Sequence, residues 1–436
     1  MADFYQTGVV TTLHRLDRED PQRSERQLEE YAPLRPAALV LPALYTEFEH
    51  PAMRRIVEEL ASVRFLKRIV VALGRASDVE YRHARSFFEG FSTPVTFLQV
   101  DHPATLGLFD ELEANGLSAG TAGKGRSCWL ASGYVQACRD CEVIAMHDCD
   151  IRNYSRSLLT RLCLPLMHPA LRFDFCKGFY SRHSDRLHGR VTRLFLTPLI
   201  RAMHSLAPGA AFLKFIDSFR YALSGEFSMT TQLAAENQVP GDWGLEVGVL
   251  AEVFRNCPAS RVCQTDLADC YDHKHQALSA DNPGAGLRRM TCEIARSLLR
   301  TVASEGIVVG GDALRTLQAT YVRSAEDMIR RYQADALVNG LRFDQQAERC
   351  AVHAFAASLQ DAVSEFLENP LGATPMPSWN LVESALPELP ERLLDTVAQT
   401  DRPARVRVAL RRIGLTEEPA VPSAGQAAGA TMELTA

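Results

Sequence analysis

Short apolar runs alternate with longer amphipathic stretches through the first two thirds of the chain. Each apolar run is mostly continuous and too short for a helix, which predicts a strand buried on both faces. Between such runs, apolar residues recur every three or four positions, as in the stretch that follows Pro51. The alternation predicts an α/β fold with a mainly parallel, Rossmann-like twisted sheet flanked by helices. The first four strands are predicted at Ala37 to Pro42, Arg68 to Leu73, Pro94 to Val100 and Val143 to Met146.

The pattern changes from about residue 282 to long amphipathic helices, for example one with Val352, Phe355 and Leu359 on a single stripe. The tail is rich in Ala, Gly, Pro and Ser, has little to bury and is expected to be disordered. We therefore divide the chain into a lead-in (1–35), an α/β domain (36–281), a helical C-terminal region (282–415) and a tail (416–436).

Two aspartates, Asp148 and Asp150, follow the predicted strand Val143 to Met146 with one residue between them. Open α/β sheets bind ligands at the carboxyl ends of their strands, and paired carboxylates there can hold a hard divalent cation that carries bound phosphates. Aspartates also cap helices and turns. The spacing thus favours a metal-diphosphate site but is not specific to one.

A glycine-rich turn, Gly120 to Gly125, precedes that strand and opens a predicted helix. Its backbone N–H groups can bind phosphate, and Lys124 adds a positive charge. It is not a P-loop, because Ser118 replaces the first glycine and Gly125 stands where Ser or Thr should bind magnesium. A plain loop with an exposed lysine is the alternative.

Three further residues are candidates because of their surroundings. Glu246 lies in the apolar start of a predicted helix, where a carboxylate is costly unless it is paired or used. His273 and His275 lie close together, which is compatible with metal binding or with a solvated turn.

Composition and charge narrow the choice of partners. The chain has 46% hydrophobic residues, 23% charged residues and a formal net charge of -6, which disfavours nucleic acid. Its one basic cluster suits a small anion better; the cluster comprises Arg182, Arg186, Arg190 and Arg193. We expect a cytoplasmic protein that neither enters nor binds a membrane, because no signal peptide or long apolar run is present. The eleven cysteines are expected to be reduced, and the CxxC at Cys138 and Cys141 has no second pair with which to bind zinc.

An ordered set of motifs then resembles a known family. The motifs are PALxxE at 42–47, GKG at 123–125, DxD at 148–150, GRVT at 189–192, GLExG at 244–248 and a late histidine. Individually weak motifs become specific when their order agrees. The chain from about Leu39 to Gln276 resembles the glucosyl-3-phosphoglycerate synthases, retaining glycosyltransferases of the GT-A fold in glycosyltransferase family 81.

The resemblance implies transfer of glucose from UDP-glucose, or another NDP-glucose, to 3-phosphoglycerate with Mg²⁺ or Mn²⁺. The product would be glucosyl-3-phosphoglycerate, a precursor of the compatible solute glucosylglycerate. A GT-A domain would hold the nucleotide sugar up to about residue 150 and the acceptor after it, in a homodimer. A mannosyl-3-phosphoglycerate synthase, or a related transferase with another small anionic acceptor, is the main alternative. A sugar-phosphate nucleotidyltransferase is less favoured, because it would need a glycine-rich loop directly after the first strand and this chain has none there. A non-catalytic nucleotide-sugar sensor is a further alternative.

The resemblance also implies roles for individual residues. The donor pocket would comprise Pro42, Ala43, Leu44, Glu47, Gly123, Lys124, Asp148 and Cys149. Asp148, Asp150 and His273 would bind the cation, and Glu246 would act with Asp150 in catalysis. The acceptor would contact Gly189, Arg190, Val191, Thr192 and His275. His275 replaces an expected asparagine. The loop Ala72 to Asp78, which would contact the nucleobase, also departs from the family pattern.

Overall fold

The computed structural model describes residues 6, 8–16, 22–272, 278–279, 282, 284–308 and 310–401. Within these residues, one sheet has eight strands. They are β1 (Thr11–Leu13), β2 (Ala37–Leu44), β3 (Leu66–Gly74), β4 (Val95–Gln99), β5 (Val143–Met146), β6 (Phe175–Tyr180), β7 (Phe227–Thr230) and β8 (Val262–Ala268). The order across the sheet is β1-β8-β6-β7-β5-β2-β3-β4.

The predicted α/β class and mainly parallel sheet are confirmed. Every neighbouring pair is parallel except that β7 runs antiparallel to both β5 and β6. The carboxyl ends of the other strands therefore meet at one edge, where β7 begins. Along β2, Val40 joins the core on one face of the sheet and Leu39 joins the core on the other, which explains its unbroken apolar run.

Three of the eight strands, β1, β7 and β8, were not predicted. The short β1 pairs with β8 at the sheet margin, with Thr11 opposite Cys263. The predicted first strand is therefore the second in chain order, and Val143–Met146 is the fifth rather than the fourth. Three residues are too few to show a period-two pattern.

The described residues also contain sixteen α-helices, a π-helical turn (Val191–Leu196) and a 3₁₀ turn (Ala259–Arg261). The first eight helices are α1 (Arg23–Tyr31), α2 (Tyr45–Phe48), α3 (Pro51–Leu60), α4 (Asp78–Ser86), α5 (Pro103–Ala114), α6 (Lys124–Cys138), α7 (Arg156–Met167) and α8 (Thr197–Leu206). The rest are α9 (Ala211–Asp217), α10 (Thr231–Glu236), α11 (Leu245–Asn256), α12 (Gly286–Ser304), α13 (Gly311–Val338), α14 (Gln345–Glu368), α15 (Trp379–Ala385) and α16 (Leu389–Thr400). In the part of the chain that is described, none of these helices is long and apolar enough to cross a membrane.

Helices cover both faces of the sheet. The side chains of α3, α4 and α7 join the core on one face, whereas those of α6 and α11 join the core on the other. The long helices α12, α13 and α14 add to the second core, and Val352, Phe355 and Leu359 of α14 are fully buried there, as their spacing predicts. The C-terminal helices thus pack on the side of the sheet that carries α6 and α11.

The C-terminal region also braces α6 directly. Trp379 of α15 stacks on Trp129 of α6 with ring centroids 4.4 Å apart. The indole of Trp129 donates to the carbonyl of Pro377 at 2.7 Å, and that of Trp379 donates to the carbonyl of Trp129 at 3.1 Å. Buried indole N–H groups satisfied in this way fix the position of a helix. The brace therefore holds the helix that begins at Lys124.

Candidate active site

A buried histidine, His147, fixes the turn after β5 by hydrogen bonds. The Nδ1 atom of His147 lies 2.9 Å from the carbonyl oxygen of Asp148, and its Nε2 atom lies 3.1 Å from the hydroxyl of Tyr154. Complete burial lowers the pKa of His147, so the ring is neutral. A neutral imidazole that donates from Nδ1 and accepts at Nε2 satisfies both contacts and orients the turn that carries Asp148 and Asp150.

A second buried layer lies behind Asp148. A side chain at Gly225 would put its Cβ 2.4 Å from the Oδ2 atom of Asp148, so only glycine permits this approach. The next residue, Glu226, is fully buried and accepts hydrogen bonds from the hydroxyls of Tyr180 at 2.6 Å and Tyr271 at 2.5 Å. The two tyrosine rings stack with centroids 3.6 Å apart. This layer ties the ends of β6 and β8 to the aspartate turn.

Lys124 joins the aspartate turn to α11. Its Nζ atom lies 2.7 Å from the Oδ1 atom of Asp148 and donates to the Oε1 atom of Glu246 at 2.9 Å. The contact depends on Gly125, because a Cβ there would lie 1.9 Å from the carbonyl oxygen of Pro240 in the turn before α11. Burial lowers the pKa of Lys124, but the carboxylates of Asp148 and Glu246 outweigh this effect and raise it well above its ordinary value. The predicted donor lysine and catalytic glutamate therefore meet.

The predicted donor pocket converges around the thiol of Cys149. Burial raises the pKa of this thiol well above its ordinary value, with further raising effects from Asp148, Glu47 and Asp150. Lys124 lowers the pKa of the same thiol, so two residues that lie far from Cys149 in the sequence, Glu47 and Lys124, act on it together with the neighbouring aspartates. The chain segment Pro42 to Leu44 ends β2 beside the end of β3 at the same edge of the sheet. The structure therefore brings the two predicted halves of the pocket together.

The predicted acceptor segment, including Val191, forms the π-helical turn and the residues before it. Arg190 donates from Nε to the Oε1 atom of Glu348 at 2.8 Å, and the Nη1 atom of Arg193 lies 2.9 Å from the Oε2 atom of the same carboxylate. Gly189 precedes them with φ of 72°, a conformation that favours glycine. Among the residues that the structure describes, the buried hydroxyl of Thr192 has no hydrogen-bond partner. A buried hydroxyl of this kind beside a partly exposed arginine is suited to an anionic ligand.

The two predicted histidines, His273 and His275, lie outside the described residues. Among the described residues, no group of three histidine, cysteine or acidic side chains is placed to hold a metal ion. Asp148 and Asp150 both lie in the turn after β5, and the predicted third ligand lies outside the described residues.

Three residues of this region were missed at the level of sequence. Lys177 lies within an otherwise apolar stretch, and both it and Glu226 are at most 1% exposed. Glu348 lies on the apolar stripe of α14, four residues before Val352. Ionisable groups at buried positions are costly unless they are paired or used, and this signal could have identified Lys177 and Glu348. Glu226 lies between Gly225 and Phe227 in a mixed stretch that gives no such signal.

Two curated relatives match almost the whole chain. It is 43% identical to the glucosyl-3-phosphoglycerate synthase of Persephonella marina over 399 residues, which is 92% of this chain and 99% of the relative. It is 36% identical to the enzyme of the same name from Methanococcoides burtonii over 398 residues, or 90% of this chain and 96% of the relative. A comparison with protein-family models found no match.

Solved structures agree at the level of fold. Glucosyl-3-phosphoglycerate synthase from Mycobacterium tuberculosis in complex with Mg²⁺ and UDP matches with a TM-score of 0.50 and 21% identity, over 68% of this chain and 87% of that one. The same enzyme with Mn²⁺, UDP-glucose and phosphoglyceric acid matches with a TM-score of 0.50 and 19% identity, over 67% and 88%. Mannosyl-3-phosphoglycerate synthase from Rubrobacter xylanophilus has a TM-score of 0.50 and 21% identity, over 69% and 83%.

Proposed function

This chain belongs to the family of glucosyl-3-phosphoglycerate synthases, and we propose that it transfers glucose from UDP-glucose to 3-phosphoglycerate with retention of the α configuration. The observation that carries the proposal is the meeting of Lys124, Asp148 and Glu246 at one edge of the sheet. These residues come from three separate segments, each carrying one motif of the family. A relative of the same family is 43% identical over nearly its whole length, which supports the same reaction here.

The donor set at this edge suits Mg²⁺ or Mn²⁺. Asp148 and Asp150 supply hard carboxylate oxygens, and the missing side chain at Gly225 leaves room for the carboxylate of Asp148. We assign the cation to these two aspartates and to His273 as the third ligand. When bound, the cation would act as a Lewis acid and neutralise the negative charge of the leaving diphosphate.

The chain's own residues would then bind and orient the donor. The segment Pro42 to Leu44, with Glu47, would hold the nucleoside, and Lys124 at the start of α6 would bind the diphosphate. Glu246 accepts a hydrogen bond from Lys124 and would orient the sugar. A carboxylate engaged by an ammonium group is a weak nucleophile, which supports departure and attack on one face of the sugar over a covalent glycosyl-enzyme.

The acceptor would bind at the π-helical turn. Glu348 accepts a hydrogen bond from the Nε atom of Arg190. Among the described residues, the terminal nitrogens of Arg190 are then left for phosphate, which guanidinium can bind through two parallel hydrogen bonds. The hydroxyl of Thr192 would add a third. The homodimer and the cytoplasmic location expected from the sequence analysis remain predictions, and sedimentation velocity and cell fractionation would test them.

A grid of donors and acceptors with product NMR tests the proposal. The purified protein would receive UDP-glucose, ADP-glucose, GDP-glucose or GDP-mannose with 3-phosphoglycerate or glycerate, in Mn²⁺, Mg²⁺ or EDTA. We expect α-linked glucosyl-3-phosphoglycerate and UDP, and no turnover in EDTA. Preference for GDP-mannose would indicate the mannosyl enzyme, a β-linked product would contradict retention, and UDP binding without turnover with any pair would indicate a sensor. Formation of UDP-glucose from UTP and glucose 1-phosphate would indicate a nucleotidyltransferase.

A further inference from the structure

Lys177 is a buried lysine that the proposed reaction does not yet use. It lies in the middle of β6 and is 1% exposed. Among the residues that the structure describes, its Nζ atom has no hydrogen-bond partner, and it lies 5.0 Å from the ring centroid of Phe227. A buried ammonium without a hydrogen bond lowers stability, so its presence suggests a function.

The position of Lys177 in the sheet directs it toward the candidate active site. Side chains alternate along β6, and Phe175 joins the core on the face covered by α6 and α11, whereas Cys176 joins the other core. Lys177 therefore faces the same helices as Phe175. Lys124 begins α6, and Glu246 lies in the first turn of α11.

The charges that act on Lys177 are those of the candidate site. Burial lowers its pKa to about 8, against the raising effects of Glu246 and then Glu226 and Asp148, while Lys124 lowers it further. The ammonium form therefore prevails at neutral pH. Of the carboxylates, Glu246 raises the pKa of Lys177 the most.

We infer that Lys177 is a positioning residue, whose ammonium group stabilises the charge of Glu246 when Lys124 binds the donor's diphosphate. The inference rests on the proposed function. Lys124 contacts both Asp148 and Glu246, and a diphosphate that binds Lys124 competes for its three N–H donors. Because Glu246 is 5% exposed, water cannot take the place of the Lys124 ammonium group beside its carboxylate. Lys177 is already buried on the same face of the sheet and can supply the positive charge.

A double-mutant cycle on UDP binding tests this coupling without measuring transfer. UDP would be titrated by calorimetry, with Mn²⁺ present, into the wild type, Lys177→Met, Glu246→Gln and the double variant. We expect Lys177→Met to bind UDP about tenfold more weakly or worse, because Glu246 is then left as an unpaired buried charge. In the Glu246→Gln background the same change should alter UDP affinity by about twofold at most, because the charge that Lys177 serves is gone.

Two results would overturn the inference: unchanged UDP affinity in Lys177→Met, or an equal loss in both backgrounds, which would mean that Lys177 does not act through Glu246. Lys177→Arg, which keeps the charge, should restore most of the UDP affinity. Lys177→Gln replaces the methionine variant in the cycle if thermal unfolding shows that the latter does not fold. A wild type that binds UDP but makes no glucosyl-3-phosphoglycerate would contradict the proposed function and leave the coupling result intact, whereas one that does not bind UDP contradicts both.

Discussion

The two ends of the site, proposed to bind the donor and the acceptor, have opposite charge arrangements. At the donor end, one lysine, Lys124, lies between the carboxylates of Asp148 and Glu246. At the acceptor end, one glutamate, Glu348, lies between the guanidinium groups of Arg190 and Arg193. The donor end therefore has negative charge in excess, which suits a cation with its bound diphosphate, and the acceptor end has positive charge in excess, which suits a phosphorylated acid.

The two ends also differ in which part of the chain supplies the shared partner. Lys124 begins α6 within the sheet domain, whereas Glu348 comes from α14 of the C-terminal helices. Asp185, in the loop before the π-helical turn, also pairs with Arg342 just before α14. The C-terminal helices therefore supply a charged partner at the acceptor end, whereas Trp379 holds α6 at the donor end by ring stacking and hydrogen bonds.

Removing a carboxylate at the donor end should have the largest effect. Asp150→Ala should lower kcat about a thousandfold, equivalent to about 4 kcal/mol, because the cation that neutralises the leaving group loses a ligand. Steady-state kinetics across a range of Mg²⁺ and Mn²⁺ concentrations would measure this. Asp110→Asn, an exposed acidic residue on α5, is the control and should keep wild-type rates. Wild-type activity of Asp150→Ala in Mg²⁺ would mean that the metal site is elsewhere.

A change at the acceptor end should affect the acceptor alone. Arg190→Lys should raise KM for 3-phosphoglycerate by roughly ten- to a hundredfold, because a point charge cannot make the two parallel hydrogen bonds of guanidinium. KM for UDP-glucose should stay unchanged. Arg186→Lys is the matched control, because Arg186 is more exposed and pairs with Asp185. An equal rise in both KM values would show that the two ends are not separable.

The shared glutamate tests whether the C-terminal helices serve the acceptor end. Glu348→Gln should raise KM for 3-phosphoglycerate by about three- to tenfold, because Arg190 loses the contact that orients it. It should also lower the free energy of unfolding by roughly 2 kcal/mol. This is less than the cost of removing a buried ionic partner altogether, because glutamine keeps some of the hydrogen bonds and Arg190 is partly exposed. UDP affinity, measured by calorimetry, should not change. A fall in UDP affinity as large as the rise in acceptor KM would contradict this division of labour.

The sequence predicts the donor end better than the acceptor end. The donor residues follow short apolar runs or open helices, so the local pattern places Asp148 after β5 and Lys124 at the start of α6. Because parallel strands share one edge, these positions converge once the sheet is predicted. Glu246 stands out as a carboxylate in an apolar helix start.

The acceptor end depends on contacts that local pattern does not contain. Glu348 is 158 positions from Arg190 in sequence, and nothing near either residue indicates the pairing. The π-helical turn at Val191 has no distinctive period. Contacts of this length are set by how the C-terminal helices pack on the sheet domain, which is a tertiary property.

The smallest effect we expect is the pH dependence of stability that Lys177 confers on the donor end. Burial lowers the pKa of Lys177 to about 8 from its ordinary value of 10.5. Between these values the unfolded chain binds more protons than the folded one, so this residue makes the wild type more stable as pH rises from 8 to 10.5 and less stable as pH falls. Lys177→Met removes the dependence. Its stability relative to the wild type should therefore be greatest at pH 7 and should decline by about 1 kcal/mol or more toward pH 10. Urea unfolding of both proteins at pH 7, 9 and 10 would measure the difference, and a relative stability that grew with pH would show that the ammonium group of Lys177 is favourably paired in the folded protein.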